Sequence, residues 1–239
     1  MRTLRRTLGL TLRRTLRRTL WDQVPRDHRE SARDLRRRQW VTGAVVVVGA
    51  VVLGLSVRIE PGNDLFYLAT LGLALVWTIG AFASGPLHLG RTLRGDGPGP
   101  RPVLIPLVYG ALLAAVFVAG ALVVRQVPWL DDQVRHVLDH ADQGSIPLLV
   151  LVTGVNGVAE ELFFRGALYA ATTRYPVAVT TAAYTLATMA TGNVMLVLAA
   201  VLLGVLVGLQ RRATGGIRAP IITHVVWSVT MLLALPTIF

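Results

Sequence analysis

The sequence predicts an all-α membrane protein, a polytopic bundle of about seven transmembrane helices. Three observations support this prediction. The 239 residues are 53% hydrophobic and only 15% charged, whereas soluble domains carry about a quarter charged residues. The apolar residues form long separate runs with few polar interruptions, as expected of helices and not of a barrel. The basic residues, all arginine, are concentrated before the first run, where 13 of the 24 lie in the first 38 positions.

Seven apolar spans are predicted from these runs. A helix needs about 20 apolar residues to cross the hydrocarbon core of a bilayer. The fifth and sixth runs are shorter, which predicts partial or tilted crossings. In chain order the runs cover residues 40–57, 65–85, 102–124, 146–171, 176–190, 194–209 and 219–235.

Four segments are expected along the chain. Residues 1–39 form a basic amphipathic cytoplasmic arm, because leucine recurs every four residues between arginine pairs in its first half. Residues 40–124 form three N-terminal helices, residues 125–145 an extracytoplasmic loop, and residues 146–239 a C-terminal core. The arm is expected to face anionic lipids and not nucleic acid, since most of the excess positive charge lies there, directly before a hydrophobic chain.

The charges of the loops predict the orientation in the membrane. The loops after the second and sixth runs are basic, and the loop after the third run is net acidic. Because basic loops remain on the cytoplasmic side, the N-terminus is expected in the cytoplasm and the C-terminus outside. We therefore expect a multi-pass protein of the bacterial inner membrane.

The acidic loop contains two histidines, His136 and His140, one helical turn apart. They could form a metal-binding pair, but the glutamate that follows the first histidine in zinc proteases is missing. A solvated amphipathic turn is the favoured interpretation. The chain has no cysteine, which excludes disulfides and cysteine-based zinc sites. No cofactor and no metal are expected.

Two adjacent carboxylates, Glu160 and Glu161, lie within the fourth run, and they are the only acidic residues in any run. Ionisable groups at this depth are costly and usually functional. Arg165 lies four residues after Glu161, so the two side chains can pair across one helical turn. Glu160 points about 100° away and need not share that pair. Glu161 is therefore predicted to be the structural partner of Arg165, and Glu160 the free base.

The seventh run contains His224, the only histidine in any run, and Ser228 one turn later. An imidazole and a hydroxyl on one helix face can donate hydrogen bonds to the same oxygen, as an oxyanion hole requires. Together with a glutamate base and a water molecule, these groups suffice for amide hydrolysis. Composition alone leaves other interpretations open: an ion pair that fixes helix registry, a path for ions or solutes, or a packed core histidine.

The stretches "EELFFRG" and "PIITHVVWS" resemble the CPBP family of intramembrane proteases, also called the CAAX protease and bacteriocin-processing (Abi) family. The resemblance extends from about residue 146 to the C-terminus. The family's first motif is matched by Glu160, Glu161 and Arg165. In the third motif His224 is present, and Ser228 replaces the usual asparagine. In the second motif Tyr184 and Thr188 occupy the places of phenylalanine and histidine.

This resemblance implies a peptidase whose site opens towards the cytoplasm. The first glutamate and the histidine of the second motif would activate water, and the third motif would stabilise the oxyanion. Members of the family cleave prenylated proteins or process bacteriocins and membrane substrates. They are often called metalloproteases, but one histidine and two glutamates favour a glutamate-activated water over a metal. Thr188 can orient water but cannot act as a base near neutral pH.

The sequence thus predicts an intramembrane endopeptidase acting on a membrane-embedded or lipid-modified peptide. Its catalytic group would comprise Glu160, Glu161, Arg165, His224 and Ser228, with Thr188 at most positioning water. A catalytically weak or inactive relative that binds a membrane partner, such as an immunity factor, is the main alternative. A proton-coupled transporter is a third possibility, disfavoured because no inverted repeat is evident.

Two further patterns concern packing. Gly204 and Gly208 form a small-residue pair that is expected to let another helix of the same bundle approach closely. Four tryptophans are predicted to mark the membrane interfaces. They are Trp21, Trp40, Trp129 and Trp227.

Overall fold

A computed structural model describes residues 15–24, 30–89, 93–94, 97–98, 103–142 and 145–239. The first fourteen residues of the predicted basic arm, and residues 25–29, lie outside the described part. The described chain is helical, apart from two dipeptides that pair as antiparallel strands in the loop after the second helix. The predicted all-α class is confirmed.

Eight helices, numbered α1 to α8, follow a short π-helical turn at Arg17–Trp21. The two strands, β1 and β2, lie between α2 and α3, and a short 3₁₀ turn at Leu235–Thr237 follows α8. Their bounds are α1 Ala32–Ser56, α2 Leu65–Ser84, β1 Leu93–Arg94, β2 Gly97–Pro98, α3 Leu104–Val124, α4 Pro128–Asp142, α5 Ile146–Ala171, α6 Pro176–Met189, α7 Val194–Thr214 and α8 Arg218–Ala234.

The helix ends follow from local sequence chemistry. The Ser31 side chain accepts a hydrogen bond from the backbone N–H of Asp34 and caps α1. The Asn193 side chain caps α7 in the same way, which satisfies backbone donors that have no partner within the helix. Proline begins α6, where its missing N–H costs nothing. Gly215, with φ of 69°, ends α7 in the left-handed conformation that glycine adopts readily.

Six of the described helices are long and apolar enough to cross a membrane: α1, α2, α3, α5, α7 and α8. Helix α6 has only 14 residues, as expected from the short fifth run. The sixth run was predicted to be short as well, but α7 continues to Thr214 and has 21 residues. Its last turns carry Gln210, Arg211 and Arg212, which the apolar run did not include.

Contacts near the helix termini show which elements meet at each end of the bundle. At one end, the Gln39 side chain bonds to the carbonyl of Ala171, and Ile217 N–H bonds to the carbonyl of His88. At the other end, Asn193 bonds to the carbonyl of Gln133 in α4. Helix α6 therefore connects the two ends of the bundle, although its 14 residues leave it outside the six candidate membrane spans.

The predicted loop 125–145 contains the amphipathic helix α4 instead of a solvated turn. His140 is buried, and its Nε2 atom lies 2.8 Å from the carbonyl oxygen of Ile59. Its ring also lies 4.6 Å from that of Phe66. His136 lies 6.2 Å away, ring to ring. His140 thus fixes α4 against the connection between α1 and α2.

The core of the bundle is aromatic. Trp77 of α2 contacts Phe163 and Phe164 of α5, with ring centroids 4.8 and 4.9 Å apart. All three side chains are buried within the cluster that also receives Tyr184 from α6. This cluster holds the charged segment of α5 at a fixed position in the bundle.

The glycine pair of α7 allows α6 to approach closely. A Cβ atom on Gly204 would lie 3.0 Å from the Thr181 side chain, and one on Gly208 would lie 2.9 Å from Val177. The pair therefore serves contacts within the bundle, as predicted. Gly204 has a second neighbour, since the same Cβ atom would lie 3.3 Å from Nη2 of Arg165.

Candidate active site

Helix α5 changes its geometry at the charged motif. Residues Ile146–Glu160 are α-helical, and Glu161–Leu168 form a π-helix. The sequence pattern predicted a helix here but did not indicate this change of geometry. Short π segments occur frequently at functional sites. This one begins between the two glutamates and carries Glu161 and Arg165.

Glu161 and Arg165 form a completely buried ion pair. Both side chains are 0% exposed, and Nη1 of Arg165 lies 3.0 Å from Oε1 of Glu161. The same carboxylate oxygen lies 2.8 Å from Nδ1 of His224 on α8. Glu161 therefore connects two distant parts of the chain, in addition to the pairing predicted with Arg165.

Arg165 is held on several sides. Its guanidinium carbon lies 4.9 Å from the centre of the Tyr184 ring, a cation–π distance. It also approaches the backbone of α7 at Gly204. Nε of Arg211 donates a hydrogen bond of 2.7 Å to the carbonyl oxygen of Arg165. These contacts position the guanidinium, while its Nε and Nη2 atoms make no hydrogen bond among the described residues.

His224 lies between the two glutamates. Nδ1 faces Glu161, and Nε2 lies 3.9 Å from Oε2 of Glu160. The rings of Tyr184 and Trp227 flank the imidazole, with centroids 6.5 and 6.1 Å away. The contact with Glu161 orients the imidazole so that Nε2 is presented to Glu160.

Glu160 differs from Glu161 in its surroundings. Its side chain is 17% exposed, and its Oε2 atom is buried without a hydrogen-bond partner in the described structure. Buried polar atoms are nearly always paired, so an unpaired carboxylate oxygen facing a histidine indicates a place for a water molecule or substrate.

Ser228 lies on the same face of α8 as His224. A Cβ atom on Gly157 of α5 would lie 3.5 Å from Cδ2 of His224 and 3.7 Å from Oγ of Ser228. The serine hydroxyl donates to the carbonyl of Val225 at 3.3 Å. It is therefore near the imidazole and only weakly held.

Thr188 is buried in the last turn of α6, and its hydroxyl donates to the carbonyl of Tyr184 at 2.9 Å. Among the hydrogen bonds of the described residues, none joins it to a glutamate or to His224. The structure thus brings Glu160, Glu161, Arg165 and His224 together, places Ser228 beside them, and engages Thr188 with the backbone of its own helix.

Residues 142–230 match the family model of the type II CAAX prenyl endopeptidases, described as Rce1-like. The match supports the resemblance of this segment to the CAAX protease (CPBP) family. It contains both glutamates, Arg165, Thr188, His224 and Ser228. Comparisons with curated proteins and with solved structures gave no match.

The donors of this site do not fit a catalytic zinc ion. Such zinc ions take three protein ligands and keep one open position. Oε1 of Glu161 is already shared by Arg165 and His224, and the Arg165 guanidinium lies 3.0 Å from it. Only Nε2 of His224 and the Glu160 carboxylate remain as possible metal ligands. Within the described ranges, no group of three or more His, Cys, Asp or Glu residues could hold a metal.

Sequence reasoning missed two neighbours of this site. Tyr184 was noted only for its place in the second motif, yet its ring lies 4.9 Å from the guanidinium carbon of Arg165 and 6.5 Å from the His224 ring. Trp227 was predicted to mark a membrane interface, but it lies beside His224, and its indole nitrogen is buried. Trp227 follows His224 by three residues, and this helical spacing already indicated that the two side chains are neighbours.

Proposed function

We propose that this protein is a glutamate-dependent intramembrane peptidase that hydrolyses a peptide bond in a membrane-embedded or lipid-modified substrate. The match of residues 142–230 to the CAAX prenyl endopeptidase model supports the general class of intramembrane protease. The observation that carries the proposal is the unpaired, buried Oε2 atom of Glu160, which lies 3.9 Å from Nε2 of His224.

This separation suits a bridging water molecule. At 3.9 Å the two atoms are too far apart for a direct hydrogen bond. A water placed to one side can lie about 2.8 Å from both. Glu160 then takes a proton from that water, and the resulting hydroxide attacks the carbonyl carbon of the scissile bond.

Glu161 is the poorer candidate for the base, because its Oε1 atom accepts hydrogen bonds from both Arg165 and His224 and its side chain is 0% exposed, although its Oε2 atom has no partner among the described residues. Its role in the proposal is to hold His224. A carboxylate at Nδ1 keeps the proton on that nitrogen and fixes the ring plane, as buried carboxylates do for catalytic histidines. The two glutamates therefore have different functions, which their different exposure supports.

His224 and Ser228 would stabilise the oxyanion of the tetrahedral intermediate. Since Nδ1 is engaged with Glu161, Nε2 can donate to the oxyanion only when the imidazole carries both protons. The Ser228 hydroxyl can leave its weak bond to Val225, which is 3.3 Å long, and donate to the same oxygen. Collapse of the intermediate breaks the C–N bond, and Glu160 returns its proton to the leaving amine.

The site is proposed to receive substrate from the cytoplasmic end of the bundle. His224 lies six residues after the first residue of α8, a depth of about 9 Å at 1.5 Å per residue. That end also carries the described part of the basic arm. Nη2 of Arg212, in α7, donates a hydrogen bond to the carbonyl oxygen of Leu20 in this arm. We place this end in the cytoplasm of a bacterial cell, beside anionic lipids that attract its arginines.

Hydrolysis can be tested with purified protein in proteoliposomes. Wild type and Glu160→Gln are incubated with peptides that carry a C-terminal prenyl group and with the same peptides lacking it. The proposal expects Glu160-dependent cleavage that is faster for the lipid-modified set. Equal, undiminished cleavage by Glu160→Gln would contradict it. The exposed and distant Glu60→Gln serves as the control for loss of a carboxylate.

A binding role without catalysis is the second candidate, favoured by Thr188 in the place of the expected histidine. It predicts that Glu160→Gln and His224→Ala retain the biological activity of the protein when both variants fold. Retention of that activity, together with no cleavage by wild type, would favour this role.

A further inference from the structure

We propose that Thr223 and Gln210 are positioning residues for His224. Their side chains form a chain of two hydrogen bonds across three helices, which fixes the rotation of α8 about its axis and so the place of the imidazole. This inference rests on the proposed peptidase function. Neither residue belongs to the charged motifs of the sequence.

The Thr223 hydroxyl is held by two neighbouring helices. It lies 3.0 Å from the carbonyl oxygen of Pro106 in α3 and 2.9 Å from Nε2 of Gln210 in α7. A carbonyl oxygen only accepts, so the hydroxyl donates its single proton to Pro106 and accepts from the Gln210 amide. Thr223 is 0% exposed and Gln210 is 1% exposed. Both bonds are therefore shielded from water.

These bonds are not needed merely to satisfy a buried hydroxyl. A threonine within a helix can donate to the carbonyl one turn back in the same helix. Thr230 of α8 does so, since its hydroxyl lies 2.7 Å from the carbonyl oxygen of Val226. Thr223 instead bonds to α3 and α7, and its hydroxyl thereby fixes α8 relative to both.

The rotation of α8 determines the geometry of the site. Thr223 directly precedes His224, and adjacent side chains on a helix point about 100° apart. Helix α8 is thus held on two faces, by Thr223 and by the 2.8 Å contact between Nδ1 of His224 and Oε1 of Glu161.

A small rotation would disturb the water proposed between Nε2 of His224 and Oε2 of Glu160, which lie 3.9 Å apart. Turning α8 by about 10° moves an atom about 6 Å from its axis by about 1 Å. A water molecule could then no longer bond well to both atoms, because hydrogen bonds weaken steeply outside their normal geometry.

Helix α3 lies directly against this face of α8. A Cβ atom on Gly110 would lie 2.8 Å from the carbonyl oxygen of Thr223 and 2.8 Å from Cβ of Val226. This close contact limits movement of α8 towards α3, and the two hydrogen bonds limit its rotation.

The test compares four variants. Thr223→Val exchanges the hydroxyl for a methyl group and breaks both bonds, whereas Thr223→Ser keeps the hydroxyl. Gln210→Met removes the amide and leaves the bond to Pro106 in place. Thr230→Val is the matched control, because it removes a hydroxyl of the same helix that bonds only within that helix.

Two kinds of measurement are made on each variant in the same detergent. The first is kcat and KM on one lipid-modified peptide, together with the thermal unfolding midpoint. The second does not depend on hydrolysis: the imidazole nitrogen signals of His224 are recorded by NMR on protein with labelled histidine. The chain has five histidines, and His224→Ala identifies the signals of His224 by their loss.

We expect Thr223→Val to lower kcat by about 10²-fold, the effect of a misplaced catalytic group, with little change in KM and with shifted His224 signals. Thr223→Ser and Thr230→Val should keep the wild-type kcat and signals. Gln210→Met should lower kcat by a smaller factor. Added to Thr223→Val it should lower kcat no further, because the hydroxyl that it contacts is already absent.

A purely structural role gives a different result. A lower unfolding midpoint for Thr223→Val, with wild-type kcat and unchanged His224 signals, would overturn the proposal. If the double variant loses the product of the two single effects, Gln210 does not act through Thr223. Should Thr223→Val not fold, Gln210→Met decides the matter, and wild-type kcat and signals there would overturn the proposal.

Failure of the peptidase function remains distinguishable. A wild type without Glu160-dependent hydrolysis would overturn that function alone, because the NMR signals of His224 still show whether Thr223 and Gln210 position the imidazole.

Discussion

Nδ1 of His224 lies 2.8 Å from Oε1 of Glu161, although 63 residues separate them in sequence. This contact joins α8 to the π-helical part of α5. It also commits Oε1 of Glu161 to the imidazole and to Arg165, whereas an unpaired carboxylate oxygen of Glu160 lies beside Nε2 of the same ring. The adjacent glutamates are thereby given different environments and, in our account, different functions.

Loss of the charge on Glu161 is expected to destabilise the protein. Glu161→Gln leaves the Arg165 guanidinium fully buried without a counter-ion, and breaking a buried pair in this way costs about 3–5 kcal/mol. The thermal unfolding midpoint in detergent measures the effect. Asp131→Asn is the control, because its pair with Arg135 has the same four-residue spacing at an exposed position. An unchanged midpoint for Glu161→Gln would show that the buried pair does not stabilise the bundle.

Close contact between α3 and α8 should be sensitive to one methyl group. A Cβ atom on Gly110 would lie 2.8 Å from the carbonyl oxygen of Thr223, the residue before His224. Gly110→Ala is therefore expected to displace α8, to lower stability by about 1–3 kcal/mol, and to reduce hydrolysis.

Gly120 provides the matched control on the same helix, because an added Cβ there would meet nothing within 4 Å. Gly120→Ala should keep both the unfolding midpoint and the rate of hydrolysis. If both alanine variants behave alike, the tight contact at Gly110 is not what positions His224.

Ser228 is expected to act on the chemical step. Removing one donor from an oxyanion hole typically costs about 10²–10³ in kcat, so Ser228→Ala should lower kcat by about that factor with little change in KM. Ser228→Asn, which restores the residue usual in the family, should remain active. Steady-state kinetics on one lipid-modified peptide would check both. Full activity of Ser228→Ala would remove the serine from the oxyanion site.

The orientation can be tested by thiol labelling, since the chain has no cysteine. Asp132→Cys introduces a thiol on the exposed face of α4, and Thr173→Cys introduces one between α5 and α6 at the opposite end. A membrane-impermeant maleimide should label the first in intact cells and the second only after permeabilisation. The reverse pattern would place the N-terminus outside.

The spans and the charged motif could be predicted from sequence because apolar runs and isolated charges are local signals. The predicted start of α5 and the pair of Glu161 with Arg165 agree with the structure. The α4 helix was missed, although Leu130, Val134, Leu138 and Ala141 recur at helical spacing in the sequence. Val134 and Leu138 are buried in the structure.

The arrangement of the site itself was less predictable. The π-helix at Glu161–Leu168 has no distinctive residue at its start, and it changes which side chains face each other. The contact between Glu161 and His224 depends on how α5 and α8 pack, and the position of Tyr184 depends on α6. Sequence spacing within one helix could not show any of these relationships.

The most direct test of the central claim is a comparison of membrane peptidomes from two strains, one with wild type and one with Glu160→Gln at matched expression. Our account predicts peptides or shortened membrane proteins that occur only with wild type, and these would identify the substrate. Identical peptidomes, with the variant folded and abundant, would contradict a peptidase that depends on Glu160.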